Sequence, residues 1–179
     1  LRVATSLGAH DAMVERPRIS DTLDYEGEMV VVLAKGGRHI PKDKALECVF
    51  GYAVGNEISV REYPFKSPQW TVGKNFDGTG TWGPYVVTAD ELPAGGAGLK
   101  IETRLNGETV QSSNTADMLF DVATVISTVS EAITLQPGDI IFSGTPAGVG
   151  FGRNPKLYMK HGDRVEVEIE RIGTLRNTI

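Results

Sequence analysis

The pattern of apolar and polar positions predicts a domain built mainly from strands. Residues 28–34 include five consecutive apolar positions, three of them valine, which favours a buried strand because β-branched side chains suit a pleated backbone. Gly36 and Gly37 interrupt this pattern, and Pro41 begins a predicted helix through KDKALECVF that ends at Gly51.

A second strand is predicted in YAVGNEISVRE, where the hydrophobic period changes to two. Glu57, Ser59 and Arg61 share one face of this strand, whereas Ile58 and Val60 share the other. The polar side chains of this segment therefore project together as a set.

Residues 62–84 are predicted to form a long irregular connection, because glycine and proline recur throughout them. The centre of this connection is QWTVGKNFDGTGTWGP. Connections of this length within a compact domain are usually functional.

A β-hairpin is predicted where Asn106-Gly107 separates two alternating segments, since Asn-Gly is the strongest short-range hairpin signal. Pro137-Gly138 predicts a turn into the short apolar strand DIIFS, which is followed by GTPAGVG. The strictly alternating RVEVEIERI is the predicted last strand.

An amphipathic helix is predicted over residues 116–133, packed on a sheet. Asn114 and Thr115 precede it and can cap its N-terminus. Its apolar positions recur at helical spacing and are Leu119, Val122, Ile126, Val129 and Ile133.

Composition places the chain among single globular domains. Its 179 residues are 40% hydrophobic, which is enough to fill a core, and its 21 glycines and 9 prolines indicate many turns. The formal net charge is −5 and no Lys/Arg cluster forms a stripe, so nucleic acid is not expected as a partner.

Cellular context is indicated by cysteine content and hydropathy. Cys48 is the single cysteine, which excludes an internal disulfide and fits a reducing compartment. Because no apolar run is long enough for a bilayer and residues 1–20 lack the apolar block of a signal peptide, we expect a cytoplasmic protein with no membrane partner.

Two carboxylates lead into the first predicted strand, in DYEGEMVVVL. If the strand begins by residue 26, Glu26 and Glu28 project from the same side about 7 Å apart. Like charges on one face raise each other's pKa unless a cation lies between them. An oxygen-only set of ligands prefers Mg²⁺, Mn²⁺ or Ca²⁺ over Zn²⁺ or copper, although a solvated strand edge would show the same spacing.

Four motifs in one order extend this interpretation: DYEGEMVVVL, GYAVGNEISVRE, QWTVGKNFDGTGTWGP and PGDIIFSGTPAGVG. With these motifs, residues 20–179 resemble the fumarylacetoacetate hydrolase superfamily. The resemblance implies an α+β, mainly β fold, the mixed β-roll of that family's C-terminal domain. It also implies a Mg²⁺ or Mn²⁺ site formed by Glu26, Glu28 and Glu57, the last of which stands where family members often carry Asp.

The same resemblance implies roles for several other residues. Arg61, Lys74 and Thr145 correspond to family residues that contact the substrate, and Lys74 is expected to stabilise the oxygen that gains charge during catalysis. Family members often activate water with a His and a Glu one helical turn apart on an N-terminal lid. The surroundings of His10 do not match that spacing, so either His10 acts with an altered partner or the lid residues are missing from the chain.

The resulting functional hypothesis is a metal-dependent hydrolase that cleaves a carbon–carbon bond in 2,4-dioxo acids of the acylpyruvate type through a metal-stabilised enolate. Oxaloacetate decarboxylation and hydroxymuconate-type isomerisation or decarboxylation are the alternatives within the family. A non-catalytic metal- and carboxylate-binding β-domain is the alternative from another class. The expected organisation is an N-terminal segment over residues 1–20, interpreted as an incomplete lid, and a catalytic domain over 21–179. The resemblance favours a homodimer.

Overall fold

The computed structural model describes residues 1–179 and contains twelve strands and two α-helices. The strands are β1 Leu7–Ala9, β2 Leu23–Asp24, β3 Gly27–Leu33, β4 Val49–Glu57, β5 Ser59–Val60, β6 Gly80–Trp82, β7 Val87–Thr88, β8 Lys100–Leu105, β9 Glu108–Asn114, β10 Ile140–Phe142, β11 Arg164–Ile169 and β12 Gly173–Thr178. The helices are α1 Lys42–Ala45 and α2 Val122–Ala132. The predicted mainly β fold is confirmed.

Two sheets form the body of the molecule. The large sheet has the strand order β1-β6-β4-β3-β10, with β7 also paired to β4, and it is mixed because β1 runs parallel to β6. The small sheet is antiparallel in the order β12-β11-β8-β9, and β2 and β5 form a separate two-stranded ribbon. No helix is both long and apolar enough to cross a membrane.

The main core lies between the two sheets, and alternation along β3 decides which side chains enter it. Met29, Val31 and Leu33 pack into this core together with Ile101 and Val167 of the small sheet. Glu28 alternates with these residues and therefore projects from the opposite face of the large sheet. A second cluster packs around the ribbon formed by β2 and β5.

The predicted helix through residue 50 is wrong in its extent. Helix α1 ends at Ala45, a 3₁₀ turn follows, and the chain is already extended at Val49, which is buried and β-branched. Gly51 lies within β4 and does not end a helix. A Cβ at Gly51 would lie 2.3 Å from the carbonyl oxygen of Val87, so close pairing with β7 requires glycine.

The predicted helix over 116–133 begins later than its apolar spacing suggests. The side chain of Asp121 accepts a hydrogen bond from the Thr124 amide at 2.7 Å and caps α2, whereas Asn114 caps only a short 3₁₀ turn. Leu119 therefore lies outside the helix and is 88% exposed. The capping residue Asp121, two positions after Leu119, defines the helix start better than the hydrophobic period does.

The predicted hairpin is confirmed between β8 and β9, with both turn residues at positive φ, 52° for Asn106 and 85° for Gly107. The alternating segment predicted as the last strand is β11. It is followed by β12, which sequence analysis missed, through a turn that places Arg171 at φ 64°.

Candidate metal centre

Pairing of β3 with β4 brings three glutamates together. The register places Gly27 opposite Asn56, and the backbone N–H of Glu57 donates to the carbonyl of Glu26 at 2.8 Å. One carboxylate oxygen from each of Glu26, Glu28 and Glu57 lies within 4.8 Å of the others. The structure thus brings together the three residues named as candidate ligands.

Glu28 is the most buried member of this group, with 1% of its surface exposed. Its carboxylate accepts a hydrogen bond from the Gly144 amide at 2.8 Å and forms no ion pair. Burial, and after it repulsion from Glu57 and Glu26, raises the pKa of Glu28 to about 8. A cation bound among the three carboxylates would relieve both causes.

Glu26 is held by one side chain from β5 and one from the residue that follows β5. The hydroxyl of Ser59 donates to Glu26 at 2.6 Å, and Arg61 forms an ion pair with the same oxygen at 2.8 Å. Ser59 and Arg61, two of the three side chains predicted to share one face of that segment, therefore converge on one carboxylate.

Lys74 lies at the end of a 3₁₀ turn, Trp70–Lys74, within the long irregular connection. Its Nζ donates to Glu26 at 2.9 Å and to Glu57 at 2.8 Å. A third contact, to the Glu57 carbonyl, is longer at 3.4 Å. The ammonium thus pairs with two of the candidate ligands, and its third N–H makes only the long contact.

Arg61 is anchored by Asp24, a fully buried carboxylate that lies 2.8 Å away. The amides of Gly150 and Phe151 also donate to Asp24, each at 2.8 Å. Burial raises the pKa of Asp24, and attraction to Arg61 opposes this. One guanidinium nitrogen of Arg61, Nη2, is buried and has no hydrogen-bond partner, which leaves a donor for a ligand.

Arg2 is a site residue that sequence analysis missed. Its guanidinium forms an ion pair with Glu57 at 3.5 Å, donates to the Lys74 carbonyl, and lies over the ring of Phe142 at 5.6 Å from the centroid. Burial lowers the pKa of Arg2. No motif surrounds Arg2, and the contacts that place it join residues more than fifty positions apart, so no local signal could have found it.

These groups fit a hard divalent cation. Three cations, Arg2, Arg61 and Lys74, face four carboxylates, those of the triad and Asp24, which leaves a negative excess when all are ionised. All the ligand atoms offered by the triad are carboxylate oxygens, the donors that Mg²⁺, Mn²⁺ and Ca²⁺ prefer. Glu26, Glu28 and Glu57 would hold the ion.

Thr145 lies in the loop after β10, which passes the edge of β3. Its hydroxyl donates to the carbonyl of Gly27 at 2.9 Å, between the two glutamates of β3. A Cβ on Gly27 would lie 2.2 Å from the Thr103 hydroxyl of the small sheet, so glycine is required where the two sheets approach. The loop and the small sheet together enclose the glutamate-bearing end of β3.

A cavity of about 420 Å³ adjoins the same loop. Gly144 and Thr145 form part of its wall, and Met118, Phe120 and Val125 provide apolar surface. The same Gly144 amide contacts Glu28, so the wall of the cavity and the carboxylate group share one loop.

The structure places His10 away from these contacts. Its Nδ1 accepts the Arg176 amide at 3.1 Å, and its Nε2 lies 3.1 Å from a carboxylate oxygen of Asp11. None of its hydrogen bonds or ion pairs involves the glutamates or Lys74. The role of His10, like that of residues 1–20 as a lid, stays a prediction, and in the structure this segment contributes β1 to the large sheet.

Comparison with known proteins connects this arrangement to a family of enzymes. The chain is 40% identical over 175 residues to oxaloacetate tautomerase YisK of Bacillus subtilis, covering 98% of this chain and 58% of that protein. It is 41% identical over 174 residues to the mitochondrial oxaloacetate tautomerase Fahd2a of Rattus norvegicus, covering 97% of this chain and 55% of that protein. The chain thus spans little more than half the length of these two relatives.

Solved structures agree with these sequence relatives. A fumarylacetoacetate hydrolase from Exiguobacterium antarcticum superposes with a TM-score of 0.93 at 40% identity, covering 98% of this chain and 63% of that one. A 5-carboxymethyl-2-hydroxymuconate delta-isomerase from Mycobacterium smegmatis superposes with a TM-score of 0.89 at 32% identity, covering 97% and 65%. The family model described as fumarylacetoacetate (FAA) hydrolase C-terminal matches residues 1–179. The chain belongs to the fumarylacetoacetate hydrolase family.

Proposed function

We propose that the chain is the catalytic domain of a divalent-metal-dependent enzyme that forms enolates from small 2-oxo acids. The observation that carries this proposal is the triad of Glu26, Glu28 and Glu57 beside the unpaired Nη2 donor of Arg61. A divalent ion bound there supplies positive charge to the oxygens of a 2-oxo carboxylate and acidifies the proton on the adjacent carbon.

The residues of the chain would orient such a substrate. The free Nη2 donor of Arg61 can bind a substrate carboxylate oxygen, because its other nitrogens are already held by Asp24 and Glu26. Lys74 keeps one proton in a long contact and can donate it, as a hydrogen bond, to the oxygen that gains charge. Both donors are held in place before the substrate binds, which is the arrangement that stabilises developing charge.

Keto–enol tautomerisation of an oxaloacetate-like diacid is the reaction we propose first. Tautomerisation moves a proton between carbon and oxygen and needs no activated water. Two relatives that are 40% and 41% identical are named oxaloacetate tautomerases, which supports the same choice.

Hydrolysis of a 2,4-dioxo acid of the acylpyruvate type is the second candidate. It is favoured by the cavity of about 420 Å³ beside Gly144 and Thr145, whose apolar wall suits an acyl group larger than any part of oxaloacetate. Cleavage requires water to attack the 4-carbonyl and the pyruvate enolate to leave. As in tautomerisation, negative charge therefore develops on the enolate of a 2-oxo acid.

A spectrophotometric screen separates these candidates. Enol oxaloacetate, acylpyruvates and hydroxymuconate analogues would each be followed with Mg²⁺, with Mn²⁺ and with EDTA. We expect metal-dependent loss of the enol absorbance of oxaloacetate without loss of carbon dioxide. Metal-dependent cleavage of acylpyruvates would instead favour the hydrolase, and carbon dioxide release would indicate a decarboxylase.

The control for this screen is a pair of charge-removing variants. Glu28→Gln alters the triad, whereas Glu166→Gln alters a glutamate of the small sheet that pairs with Arg104 and Arg176. Activity should fall in the first and persist in the second. Metal binding without turnover of any substrate in the screen would point to a non-catalytic carboxylate-binding domain.

The proposed enzyme is a homodimer, as the family resemblance implies. Light scattering on the purified chain should give twice the mass of 19.3 kDa. A monomeric mass at the concentrations used for activity measurements would contradict this part of the proposal.

A further inference from the structure

Gln111 lies on β9 of the small sheet and reaches the glutamate-bearing end of β3. Only 2% of its surface is exposed. Its Oε1 accepts the Gly27 amide at 3.0 Å, and its Nε2 donates to the Thr145 hydroxyl and to the Pro146 carbonyl, both at 2.9 Å. The partners fix the orientation of the amide, since the Gly27 N–H can only donate and the Pro146 carbonyl can only accept.

The Thr145 hydroxyl completes a closed network. It accepts from Gln111 and donates to the Gly27 carbonyl, so both backbone groups of Gly27 are bound by side chains on this edge of β3. Strand β10 ends at Phe142, before it could pair with Gly27. Gln111 and Thr145 therefore take the place that a neighbouring strand would occupy.

This network connects two parts of the candidate metal centre. Gly27 lies between Glu26 and Glu28, and the same loop that carries Thr145 and Pro146 supplies the Gly144 amide to Glu28. A displacement of the Gln111 amide would release the loop from β3 and change the position of Glu28 relative to Glu26.

We propose that Gln111 is a positioning residue that sets the geometry of the metal-binding carboxylates and of the Thr145 loop from the opposite sheet. The inference rests on the proposed function for its metal and kinetic readouts, but the hydrogen-bond network itself does not depend on that function. Partners that orient metal ligands typically change metal affinity by about 10–100-fold when they are removed.

The test replaces Gln111 with methionine, which has similar length and cannot make these hydrogen bonds. Gln136→Met is the matched control, because Gln136 is exposed and its side chain makes no hydrogen bond. We expect Mn²⁺ affinity, measured calorimetrically, to fall about tenfold or more in Gln111→Met and to stay unchanged in Gln136→Met. Equal affinity in the two variants would overturn the inference.

A second pair of variants distinguishes positioning from general destabilisation. Thr145→Val should reproduce the loss of Mn²⁺ affinity, whereas Thr145→Ser, which keeps the hydroxyl, should retain the wild-type affinity. The double variant of Thr145→Val with Gln111→Met should lose less binding free energy than the sum of the two single losses. KM for the 2-oxo acid should rise more than kcat falls, since the loop that receives the substrate is displaced. Additive effects would overturn the inference.

Amide hydrogen exchange separates this inference from the proposed function. The Gly27 amide should exchange slowly in the wild type and faster in Gln111→Met, with no metal or substrate present. A wild-type chain that binds no Mn²⁺ would refute the proposed function. Unchanged Gly27 exchange in Gln111→Met would instead refute the role of Gln111.

Discussion

Glu28 is a buried carboxylate that has one backbone hydrogen bond and no ion pair. Burying a charge without a partner is unfavourable, and the triad adds repulsion to the loss of hydration. A residue with these properties lowers the stability of the metal-free protein. The cation proposed above would pair with this carboxylate and offset the unfavourable burial.

Glu28→Gln should therefore have opposite effects on binding and on stability. Mn²⁺ affinity should fall by at least the roughly 10–100-fold typical of outer-shell partners, because a direct ligand loses its charge. The thermal midpoint of the metal-free protein should rise or stay equal, because glutamine keeps the shape and needs neither a buried charge nor the uptake of a proton on folding. Calorimetric titration and thermal melts in EDTA measure the two effects. Unchanged Mn²⁺ affinity would contradict the assignment of Glu28.

Lys74→Met should separate catalysis from metal binding. Lys74 shares its contacts with Glu26 and Glu57, so it competes with a metal for the same carboxylates. We expect Mn²⁺ affinity not to fall, and kcat to fall about a hundredfold or more, because a donor to the developing charge is lost. Lys100→Met, which removes an exposed ion pair with Glu102, is the control and should keep normal turnover. Near-normal turnover of Lys74→Met would contradict the catalytic role proposed for Lys74.

Sequence analysis identified most of the site residues that lie within motifs. Glu26 and Glu28 follow from strand alternation, Glu57 is implied as a third ligand by the family resemblance, and the structure brings the three together. Asp24 lies in the first motif, but its role as the partner of Arg61 was missed. Arg2 and Gln111, which lie outside the motifs, were missed as well. They reach the site through pairing and packing between distant segments, as in the contact of Gln111 with Gly27 across 84 positions.

At the scale of single elements, the structure corrects the predicted boundaries of helices and strands where local chemistry and the hydrophobic period disagree. The apolar spacing that starts at Leu119 suggests a longer helix than α2, but Asp121 begins it by capping the Thr124 amide. Likewise, Val49 starts β4 because pairing with β3 outweighs the helical pattern that precedes it. Hairpin chemistry at Asn106-Gly107 depends only on the turn residues and was predicted correctly.

Asp121→Ala should destabilise the protein by about 1 kcal/mol, the usual effect of losing an N-cap. For a chain of this size the thermal midpoint should fall by about 2–4 °C. Asp121→Asn, which keeps a capping oxygen, should stay close to the wild type at neutral pH. Thermal melts of the three proteins measure the difference. Equal midpoints for the alanine variant and the wild type would show that the cap contributes nothing.

The contribution of Asp121 should also depend on pH. Hydrogen bonds from Thr124 and the ion pair with Lys42 lower the pKa of Asp121 from 3.8 to about 2. Because the folded-state pKa is lowered, the stabilisation is fully present above the unfolded value and is lost as the pH falls through the folded one. The difference in the free energy of unfolding between wild type and Asp121→Ala should narrow as the pH falls from about 4 to about 2. These limits correspond to the unfolded and folded pKa values of Asp121. A difference that stays constant over this pH range would contradict the role of the ionised Asp121 side chain in capping α2.

At the scale of the whole molecule, the candidate metal centre joins parts of the chain that are far apart in sequence. The first residues supply Arg2, the large sheet supplies the triad, and the small sheet holds Gly27 through Gln111. A ligand bound at this position would therefore stabilise contacts between both sheets, and its binding free energy would add to the stability of the folded chain.

Saturation with Mn²⁺ should raise the thermal midpoint of the whole chain in one transition. A free ion concentration of about 100 Kd corresponds to about 2.7 kcal/mol of stabilisation. For a chain of this size the shift should be about 5–10 °C. Differential scanning fluorimetry with Mn²⁺ and with EDTA measures it, and Glu166→Gln should keep the shift. Identical melting curves with ion and with chelator would argue against the site.

The close approach of the two sheets at Gly27 limits how this site can change in evolution. A Cβ at Gly27 would lie 2.2 Å from the Thr103 hydroxyl and 3.0 Å from a methyl carbon of Val167. A larger residue at position 27 therefore requires a smaller one at position 103, so these two positions should covary among descendants of this chain. The same pair limits transplantation: a Glu-Gly-Glu strand grafted onto another scaffold would keep its two ligands but lose the surface that fixes their spacing.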